Sequence, residues 1–566
     1  MPTTGISAFL DLLASAGVDT IFGNPGTTEL PLNDALVDDS RFRYILGLQE
    51  VPVMAMADGY AMAGGRLGVV NVHICCGLGN AMGMLYNAFR EGTPLLVTAG
   101  QQDQRLIVDE PILAGDMVAV TRPWTKWSVE VSRVEDLPAT VHRAIQTALT
   151  PPTGPVFVSL PLDVQMALTG ELDLSPRRVP DRRVRPATAA VAEAGKLLAR
   201  ATRPAILAGS RVTEANAVGE LVRLAERIGA PVLSEPGTTH GRLAFPSDHP
   251  LNGQGLPLWA PEIHARLADF DVLLVVGMDL LRLYIYREPA RAVPRETKLI
   301  HLDEDPKQLG KNFPIDVPLL GDTKAGLREL DDWLDRSMTE GQVARAEART
   351  STWATDHQAA RERLSAQIAA QGETRPMTGL TLMHALARVL PDDVAVVEEA
   401  VTTTNTVLER LGVLKNTTGY FGHRGWALGW GLGCALGAKL AWPDRPVLGI
   451  LGEGSAMYGI QGLWSAAHHG IPVTFVVPNI PQYQVIKVCA DQLALPHAAA
   501  NRLVGLDVVD PEIDLVALAR SLGVEAYRVD DPDELSDRVR QSFTRDRPLL
   551  IDVPIDREKP GRLGYG

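Results

Sequence analysis

The fold of this chain is decided by a stretch in its last third, Val-Leu-Gly-Ile-Leu-Gly-Glu-Gly-Ser at residues 447–455. A helix-compatible segment at 457–469 and a second strand at 473–477 follow it. This order predicts a strand–turn–helix–strand unit whose first turn lies at the carboxyl ends of a parallel sheet. Small residues in that turn let backbone N–H groups approach a phosphate, and a carboxylate there is useful as a ligand for a bridging cation. The stretch therefore indicates a diphosphate held through a metal ion, although such glycine turns are also common as purely structural features.

The composition is that of a globular protein with an acidic balance. The 566 residues, 46% of them hydrophobic and 22% charged, suffice for about three or four domains. A net charge of −14 without a basic cluster argues against nucleic acid or an anionic membrane as a partner. No stretch approaches the ~20 apolar residues of a spanning helix, and the four cysteines lack disulfide-framework or metal-ligand spacing. We therefore expect a cytoplasmic protein.

Strand-like and helix-like segments alternate along three blocks of the chain. The predicted strands are 19–22, 44–48, 68–73 and 94–99 in the first block, 205–209, 232–233, 272–277 and 299–303 in the second, and 394–397, 447–451, 473–477, 526–529 and 548–553 in the third. Predicted helices include 5–17, 51–63 and 425–440. This alternation implies an α/β fold with three doubly wound parallel-sheet domains.

We predict a first domain at 1–170, a linker at 171–190, a middle domain at 191–335, a connecting helical segment at 336–376 and a last domain at 377–566. The linker contains the proline- and arginine-rich segment 177–185.

Five segments of the first block resemble one known family in the same order. They are Phe22-Gly23-Asn24-Pro25-Gly26, Leu48-Gln49-Glu50, Ala57-Asp58-Gly59-Tyr60-Ala61, Gly79-Asn80-Ala81-Met82-Gly83 and Thr98-Ala99-Gly100-Gln101-Gln102. Over essentially its whole length the chain resembles the thiamine diphosphate (ThDP) enzymes of the pyruvate oxidase and 2-oxo acid decarboxylase superfamily, and among them the benzoylformate decarboxylases. The resemblance implies pyrimidine-binding, middle and diphosphate-binding domains. It also implies an active site between two subunits, so that a homodimer is the minimum unit and a homotetramer is typical.

Glu50 is the residue that the resemblance places on the pyrimidine ring of ThDP. A carboxyl group bonded to a ring nitrogen favours the reactive imino tautomer, and the position of Glu50 at the end of an apolar strand fits that role. The alternative is a helix N-terminal glutamate favoured by the macrodipole. Leu428 is placed as the large apolar residue that bends the cofactor. The other cofactor contacts implied are Asn24, Pro25, Asn80, Thr402, Thr403, Gly452, Gly454, Ser455 and Tyr483.

The substrate side of the resemblance rests on three residues. His73 matches the histidine that serves in proton transfer, although a strand histidine is often merely hydrogen-bonded in a core. Thr27 falls where the family has a serine that contacts the substrate carboxylate. Tyr284 falls at the position of a second catalytic histidine. A phenol titrates near 10 rather than ~6.5, so Tyr284 cannot relay protons as that histidine does.

Further residues are predicted to line the substrate pocket. His423 and Arg424 precede the Leu428 segment and could meet an anionic substrate, with placement on the surface as the alternative. Apolar neighbours favour an aromatic or branched substrate. These residues are Leu281, Val485, Ile486 and Cys489.

The metal-binding positions depart from the family motif, which reads Gly-Asp-Gly-Ser and ends in two asparagines. Glu453 replaces the aspartate, and Ile480 replaces the second asparagine. The resemblance then implies Glu453, Asn479 and the backbone carbonyl of Gln482 as ligands. One extra methylene moves the carboxylate outward by about 1.5 Å, which Ca²⁺ tolerates better than octahedral Mg²⁺. Either water or Asn479 replaces the missing ligand at 480, or metal-assisted ThDP binding is weak.

These features predict a lyase that depends on ThDP and on Mg²⁺ or Ca²⁺ and decarboxylates a small-molecule 2-oxo acid through a C2 adduct and an enamine. Within the same chemistry, the alternatives are an acetolactate synthase-like carboligase and an aldehyde lyase. From a different class, the alternative is a non-catalytic homologue with a degenerate metal site.

Overall fold

The computed structural model of this protein describes residues 3–558, except for residues 171, 177–180, 182, 236–240 and 289–290. Within these residues the chain forms three six-stranded parallel sheets and one two-stranded antiparallel pair. The predicted α/β class with three doubly wound parallel-sheet domains is confirmed. Of the predicted linker, residues 171, 177–180 and 182 lie outside the described residues.

The first domain is built on the amino-terminal sheet. Its strands are β1 (Thr3–Thr4), β2 (Thr20–Asn24), β3 (Arg43–Leu46), β4 (Gly68–Val72), β5 (Leu95–Gln101), β6 (Ser128–Glu130), β7 (Val156–Pro161) and β8 (Leu168–Thr169). Its α-helices are α1 (Gly5–Ser15), α2 (Leu30–Ala35), α3 (Glu50–Gly64), α4 (Ile74–Glu91), α5 (Met117–Thr121), α6 (Leu137–Leu149) and α7 (Leu162–Met166), with 3₁₀ turns at Thr27–Glu29, Gln104–Asp109, Arg122–Trp124 and Val134–Asp136. The sheet order is β3-β2-β4-β5-β7-β6, and β1 pairs with β8.

The middle domain has a different strand order. Its strands are β9 (Pro204–Ala208), β10 (Val232–Ser234), β11 (Asn252–Gly255), β12 (Val272–Val276), β13 (Lys298–Asp303) and β14 (Val317–Leu320). Its helices are α8 (Thr188–Arg200), α9 (Arg211–Glu214), α10 (Val218–Ile228), α11 (Ala260–Leu267) and α12 (Thr323–Ser337), and α13 (Glu340–Gln371) connects it to the last domain. The order β11-β10-β9-β12-β13-β14 is that of a dinucleotide-binding sheet.

The last domain repeats the order of the first. Its strands are β15 (Ala395–Glu399), β16 (Tyr420–Phe421), β17 (Val447–Leu451), β18 (Thr474–Asn479), β19 (Glu525–Arg528) and β20 (Leu549–Pro554). Its helices are α14 (Gly379–Ala387), α15 (Val401–Thr404), α16 (Val407–Arg410), α17 (Trp430–Ala441), α18 (Glu453–Gly459), α19 (Gly462–His468), α20 (Gln484–Gln492), α21 (Leu515–Ser521) and α22 (Pro532–Ser542), with a 3₁₀ turn at Thr417–Gly419. The sheet order is β16-β15-β17-β18-β20-β19.

The central strands read as continuous apolar runs because helices cover both faces of each sheet. β4, β5, β12 and β17 are buried along their whole lengths. No helix among the described residues has the length and apolar character needed to span a bilayer.

The first and last domains meet along helices α3 and α17. A Cβ atom on Gly437 of α17 would lie 1.9 Å from the carbonyl oxygen of Met56 on α3, so the two helices touch backbone to backbone. At the amino-terminal end of this contact, Val51 lies beside Gly429. The packing therefore brings the start of α3, which is Glu50, close to the loop that carries Leu428.

Every strand predicted from the sequence overlaps an observed strand. The prediction missed β1, β6, β7, β8, β11, β14 and β16, which are short, polar or next to prolines. The helix predicted at 425–440 begins only at Trp430, because Trp426 (φ 65°) and Gly429 (φ 95°) are left-handed and interrupt a helix there. The predicted helix 457–469 is two helices, α18 and α19.

Candidate active site

At the carboxyl ends of the first sheet, the predicted residues Asn24 and Asn80 hold the buried carboxyl group of Glu50 between them. Glu50 begins α3 and is 4% exposed. Its Oε1 accepts a hydrogen bond from Nδ2 of Asn24 at the end of β2 (3.1 Å), and its Oε2 accepts one from Nδ2 of Asn80 on α4 (3.0 Å). Each carboxylate oxygen thus has an amide donor, which offsets the cost of burial and orients the group.

A second buried carboxylate holds the ring of His73. Nδ1 of His73 lies 2.7 Å from Oε2 of Glu29, while Oε1 of Glu29 accepts hydrogen bonds from Gly100 N (2.7 Å) and Ile74 N (3.2 Å). A carboxylate at Glu29 accepts hydrogen bonds, so this contact favours the tautomer of His73 that carries its proton on Nδ1 and leaves Nε2 available. Glu29 therefore positions His73 and selects its tautomer.

The turn before Glu29 leaves room for this ring. A Cβ atom on Gly26 would lie 1.9 Å from Nδ1 of His73, so only glycine fits at that position. Pro25 and Thr27 on either side of it are exposed, and Thr27 opens the 3₁₀ turn that continues to Glu29. The predicted residues Asn24, Pro25, Thr27, Glu50, His73 and Asn80 thus lie around one crevice of the first domain.

In the last domain, residues 447–455 form strand β17 and the start of helix α18. Gly452 is the extended N-cap residue, and no side chain caps this helix. The N–H groups of Gly454 and Ser455 consequently have no acceptor within the helix. A Cβ atom on Gly454 would lie 2.9 Å from the ring of Tyr483, so glycine keeps a narrow cradle open between them. Backbone donors in such a cradle fit a diphosphate.

A cavity of about 390 Å³ in the same domain is lined by Thr402, Thr403 and Ile480, among other residues. Thr402 is partly exposed and Thr403 is buried, both on the short helix α15. Leu428 is partly exposed in the loop before α17, not within a helix. No helix passes through Leu428, although the sequence predicted one at 425–440.

Among the three residues predicted to bind a metal, Glu453, Asn479 and Gln482, only Glu453 has a carboxylate side chain. Glu453 is 7% exposed, burial raises the pKa of its carboxyl, and its Oε1 accepts from Gln482 N (3.3 Å). Ile480 packs in an apolar cluster at 4% exposure, and Asn479 donates its Nδ2 to Oδ1 of Asp552 (3.0 Å). No group of three or more histidine, cysteine, aspartate or glutamate side chains that could hold a metal occurs in the described part of the chain. One carboxylate still fits Mg²⁺ that is held mainly by cofactor phosphates and water.

The side chain of Gln482 is already engaged. Its Oε1 accepts a hydrogen bond from Nζ of Lys487 (2.9 Å), which is fully buried and also donates to Oδ1 of Asp507 (2.6 Å). Nε2 of Gln482 donates to the carbonyl oxygen of Arg557 (3.0 Å). The backbone carbonyl of Gln482 accepts a hydrogen bond from Gln484 N (2.8 Å), so the metal-binding role predicted for this carbonyl would use its second lone pair.

Tyr284 belongs to an aromatic cluster. Its ring centroid lies 4.9 Å from that of Trp426 and 6.1 Å from that of Trp259. Burial raises the pKa of the Tyr284 phenol, which also hydrogen-bonds to Cys489 on α20. The phenol therefore stays protonated at neutral pH. On the same helix, Val485 is partly buried and Ile486 is 47% exposed.

His423 and Arg424 are buried where the domains meet, so their alternative placement on the surface is wrong. His423 is 1% exposed, and burial lowers the pKa of its imidazole to about 4. Its Nδ1 accepts from Trp426 N (3.0 Å). Arg424 pairs through Nε with Oε2 of Glu91 (3.2 Å).

Leu281, predicted to line the substrate pocket, is 3% exposed in an apolar cluster of the middle domain, and its backbone is left-handed (φ 51°).

Sequence reasoning missed several residues that the fold brings to this region. Glu29 stands two residues after Thr27 and has no sequence motif of its own, so its burial and its contact with His73 emerge only from the fold. Lys487 and Trp426 carry no motif, so only the tertiary structure reveals their places. Glu399 ends β15 and accepts hydrogen bonds from Gly429 N, Trp430 N and Gly431 N, which caps α17.

Comparison with known proteins agrees with this architecture. The chain matches the model "Thiamine pyrophosphate enzyme, N-terminal TPP binding domain" at residues 3–117, the corresponding central domain at 191–330 and the C-terminal TPP binding domain at 401–553. It is 36% identical to benzoylformate decarboxylase of Pseudomonas aeruginosa over 98% of this chain and 99% of that protein. It is 29% identical to the acetolactate synthase large subunit of Parasynechococcus marenigrum over 98% of this chain and 88% of that protein.

Two solved structures extend the likeness to three dimensions. The thiamine diphosphate-dependent 4-hydroxybenzoylformate decarboxylase of Rhodococcus jostii RHA1 superposes with a TM-score of 0.86 at 31% identity, over 99% of this chain and 100% of that chain. Benzoylformate decarboxylase of Polynucleobacter necessarius superposes with a TM-score of 0.85 at 28% identity, over 98% and 99% of the two chains.

We call the surroundings of Glu50 and His73 the first crevice, and the surroundings of the start of α18 the last crevice. Together with the fold, in which two α/β domains of the same strand order flank a middle domain, these crevices define a cofactor-dependent enzyme. The chain belongs to the thiamine pyrophosphate enzyme family. The predictions of an enzyme, of ThDP as its cofactor and of the accompanying divalent metal agree with this membership.

Proposed function

We propose that this protein decarboxylates a 2-oxo acid that has an aromatic or branched body. The observation that carries the proposal is the buried carboxyl group of Glu50, held between the amides of Asn24 and Asn80 beside a tautomer-selected histidine. A general acid or base works best when its geometry is set in advance, and both groups here are oriented by buried partners. Relatives named benzoylformate decarboxylase support the same substrate class.

The residues divide the work between the two crevices. Glu50 would hold and exchange a proton at the pyrimidine ring, and His73 would deliver or accept one at Nε2 next to the substrate. Gly454 and Ser455 would donate backbone N–H groups to the diphosphate, and Glu453 with the carbonyl of Gln482 would hold the metal. When bound, ThDP supplies a nucleophilic carbon and an electron sink. Thr27 would offer its hydroxyl to the substrate carboxylate.

The apolar body of the substrate would lie against the wall formed by Tyr284 and Trp426. Since Tyr284 stays protonated at neutral pH, it can donate a hydrogen bond but does not replace a histidine as a proton relay. His73 would then be the principal side chain for proton transfer to and from the substrate.

We further propose that the active unit is a homodimer or a dimer of dimers in which the crevices of two subunits face each other. A cytoplasmic location is proposed as well, and the free thiols of all four cysteines are compatible with it.

A substrate panel tests the function. The holoenzyme, loaded with ThDP and Mg²⁺ or Ca²⁺, is incubated separately with benzoylformate, 3-methyl-2-oxobutanoate and pyruvate, and carbon dioxide and aldehyde are measured. We expect turnover of the first two in preference to pyruvate. Absence of ThDP binding in calorimetry, or absence of carbon dioxide from every acid, would overturn the proposal.

Carboligation is the second candidate, because acetolactate synthases are similar over the whole chain. Mixed incubations with a 2-oxo acid and an aldehyde distinguish the two: a hydroxyketone as main product favours the carboligase, and free aldehyde favours the decarboxylase.

A further inference from the structure

The loop at residues 425–429, which we call the Leu428 loop, has an unusual backbone. Trp426 (φ 65°) and Gly429 (φ 95°) both lie in the left-handed region. A bulky residue such as tryptophan rarely adopts this conformation, which persists only where the surrounding contacts over-determine it and which concentrates at functional sites. Leu428 itself is partly exposed, so burial in an apolar core does not fix its side chain. Its position therefore depends on the contacts of the backbone around it.

The residue before Leu428 is held by Asn87 of α4. Oδ1 of Asn87 accepts a hydrogen bond from Ala427 N (3.0 Å), and its Nδ2 donates to the carbonyl oxygen of Ala427 (2.8 Å). A side-chain amide that bonds both backbone groups of one residue fixes its position and its orientation. A Cβ atom on Gly425 would lie 2.7 Å from Cα of Asn87, so glycine at 425 lets α4 approach the loop this closely. The first domain thus anchors the Leu428 loop directly.

The two ends of the loop are held by buried groups of the last domain. The carboxyl group of Glu399 accepts hydrogen bonds from the N–H groups of residues 429–431 at 2.9–3.1 Å. The carbonyl oxygen of Glu399 accepts from Gly452 N (3.1 Å), where the turn predicted to bind the diphosphate begins. Nδ1 of His423 accepts from Trp426 N (3.0 Å). Backbone N–H groups before and after the leucine therefore have buried acceptors.

These three side chains are each at most 1% exposed, and they reach the loop from different elements. We call Asn87, Glu399 and His423 the loop frame. We propose that the loop frame fixes Leu428 in place before the cofactor binds, so that its members are positioning residues that affect turnover through Leu428. A support that is ordered in advance need not be ordered during the reaction. The inference rests on the proposed function and on the cofactor contact predicted for Leu428.

Amide hydrogen exchange tests whether the frame holds the loop, and it needs no turnover. Asn87→Ala removes both bonds to Ala427, so exchange of residues 426–431 in the apo-protein should accelerate about tenfold, while peptides from α8 exchange at the native rate. Adding ThDP and Mg²⁺ should restore most of the lost protection, because a cofactor that rests on Leu428 orders the loop. Native exchange in Asn87→Ala, or an acceleration that ThDP does not reverse, would overturn the inference.

A double-mutant cycle tests whether the frame acts through Leu428. Asn87→Ala should lower kcat about tenfold in the native background, with ThDP affinity within a few-fold, and less than about twofold in the Leu428→Ala background. A residue with only a structural role would lower kcat equally in both backgrounds, and that result would also contradict the inference. The control is Asn416→Ala, which removes an exposed asparagine of the last domain and should alter neither kcat nor loop exchange.

Glu399→Gln is a second variant that keeps the test decisive if Asn87→Ala does not fold. In either orientation of the new amide, its nitrogen faces a backbone N–H group that now meets a carboxylate oxygen. We expect the same faster exchange of residues 426–431, the same recovery with ThDP and the same loss of kcat only where Leu428 is present. Native behaviour in all three measurements would show that the frame does not position the loop.

The two measurements separate this inference from the proposed function. If ThDP restores protection of the loop and no 2-oxo acid is decarboxylated, the loop frame stands and the proposed function fails. If benzoylformate is decarboxylated and the loop exchanges at the native rate in both variants, the function stands and the inference fails.

Discussion

The first and last domains have the same strand order, and their crevices are nevertheless completed in different ways. When the strands of each six-stranded sheet are numbered in chain order, both sheets have the order 2-1-3-4-6-5. In the first, side chains from β2, α3 and α4 converge so that the carboxyl group of Glu50 is satisfied before any ligand arrives. In the last, the start of α18 offers backbone donors and one carboxylate, and Ile480 supplies no ligand atom. Identical topology thus places two sites of the same kind without dictating their chemistry.

The difference separates chemistry from binding. In the proposed function, the preorganised side chains of the first domain would carry out proton transfer, whereas the turn of the last domain would set how tightly cofactor and metal are held. Variants in the first crevice should therefore lower turnover, and variants in the last should alter cofactor affinity.

The largest expected effect is at Glu50. Glu50→Gln keeps the shape of the side chain but removes its exchangeable proton, so kcat should fall by about 10²–10⁴-fold. Calorimetry should show ThDP affinity within a few-fold of the native protein. The control is Glu193→Gln, an exposed glutamate of α8 that should leave both values unchanged. Native turnover in Glu50→Gln would refute the role assigned to this carboxyl group.

A smaller loss is expected at Glu29. Glu29→Gln would turn an amide nitrogen toward donors that now meet a carboxylate, so the ring of His73 loses its fixed orientation. We expect kcat to fall by about 10–100-fold with little change in ThDP affinity, as steady-state kinetics and calorimetry would show. Glu135→Gln on an exposed 3₁₀ turn serves as the control. A change in ThDP affinity alone would contradict the separation between the two crevices.

Ile480→Asn tests the binding role proposed for the last domain. An amide at this position should add a ligand and strengthen the Mg²⁺-dependence of ThDP binding about tenfold, which corresponds to ~1.4 kcal/mol. The same change places a polar group in the apolar cluster around Ile480, so the apo-protein should melt at a lower temperature.

Ile480→Val is the matched control and should leave the metal dependence unchanged. If Ile480→Asn and Ile480→Val bind ThDP alike at every Mg²⁺ concentration, position 480 does not face the metal.

The smallest effect on activity is expected at Asp58, where α3 meets α17. Its carboxyl accepts from Nε1 of Trp430 (2.6 Å), and burial raises its pKa to about 7. A raised pKa means that the folded protein holds a proton which the unfolded chain releases near pH 4. Stability attributable to this group is therefore present at low pH and is lost as the pH rises toward and through about 7.

Asp58→Asn should flatten this dependence, so its melting temperature should change less between pH 5 and pH 8 than that of the native protein, as scanning calorimetry at several pH values would show. An unchanged slope would mean that Asp58 is ionised in the folded protein.

Much of the fold followed from local patterns. Continuous apolar runs predicted the central strands, and their alternation with helices predicted parallel sheets, because strands covered on both faces must be apolar throughout. The short β16 and the rim strands β6 and β11 were missed, since their pairing depends on neighbours distant in the chain. The loop at 425–429 was predicted as helix, since its glycines and apolar residues match a helical period and only its left-handed residues break it.

The candidate site, like the fold, could be predicted only in part. Glu50, His73 and the turn around Glu453 could be located from motifs, because each stands at the end of a predicted strand. Glu29 could not, because its place in the site arises from a buried partner far along the chain, His73, and the pairing of Arg424 with Glu91 was likewise not predicted.

By itself, then, the sequence determined the class of fold, the cofactor and the missing metal ligand, since these depend on residue types at fixed spacing. Only the tertiary structure decided which carboxylates are paired and which histidine nitrogen is available, since burial and charge pairing are set by packing between segments that the chain order keeps apart. The stretch at 447–455 shows both: its residues indicated a diphosphate site, and only the fold showed that Glu453 is buried and accepts a hydrogen bond from Gln482 N.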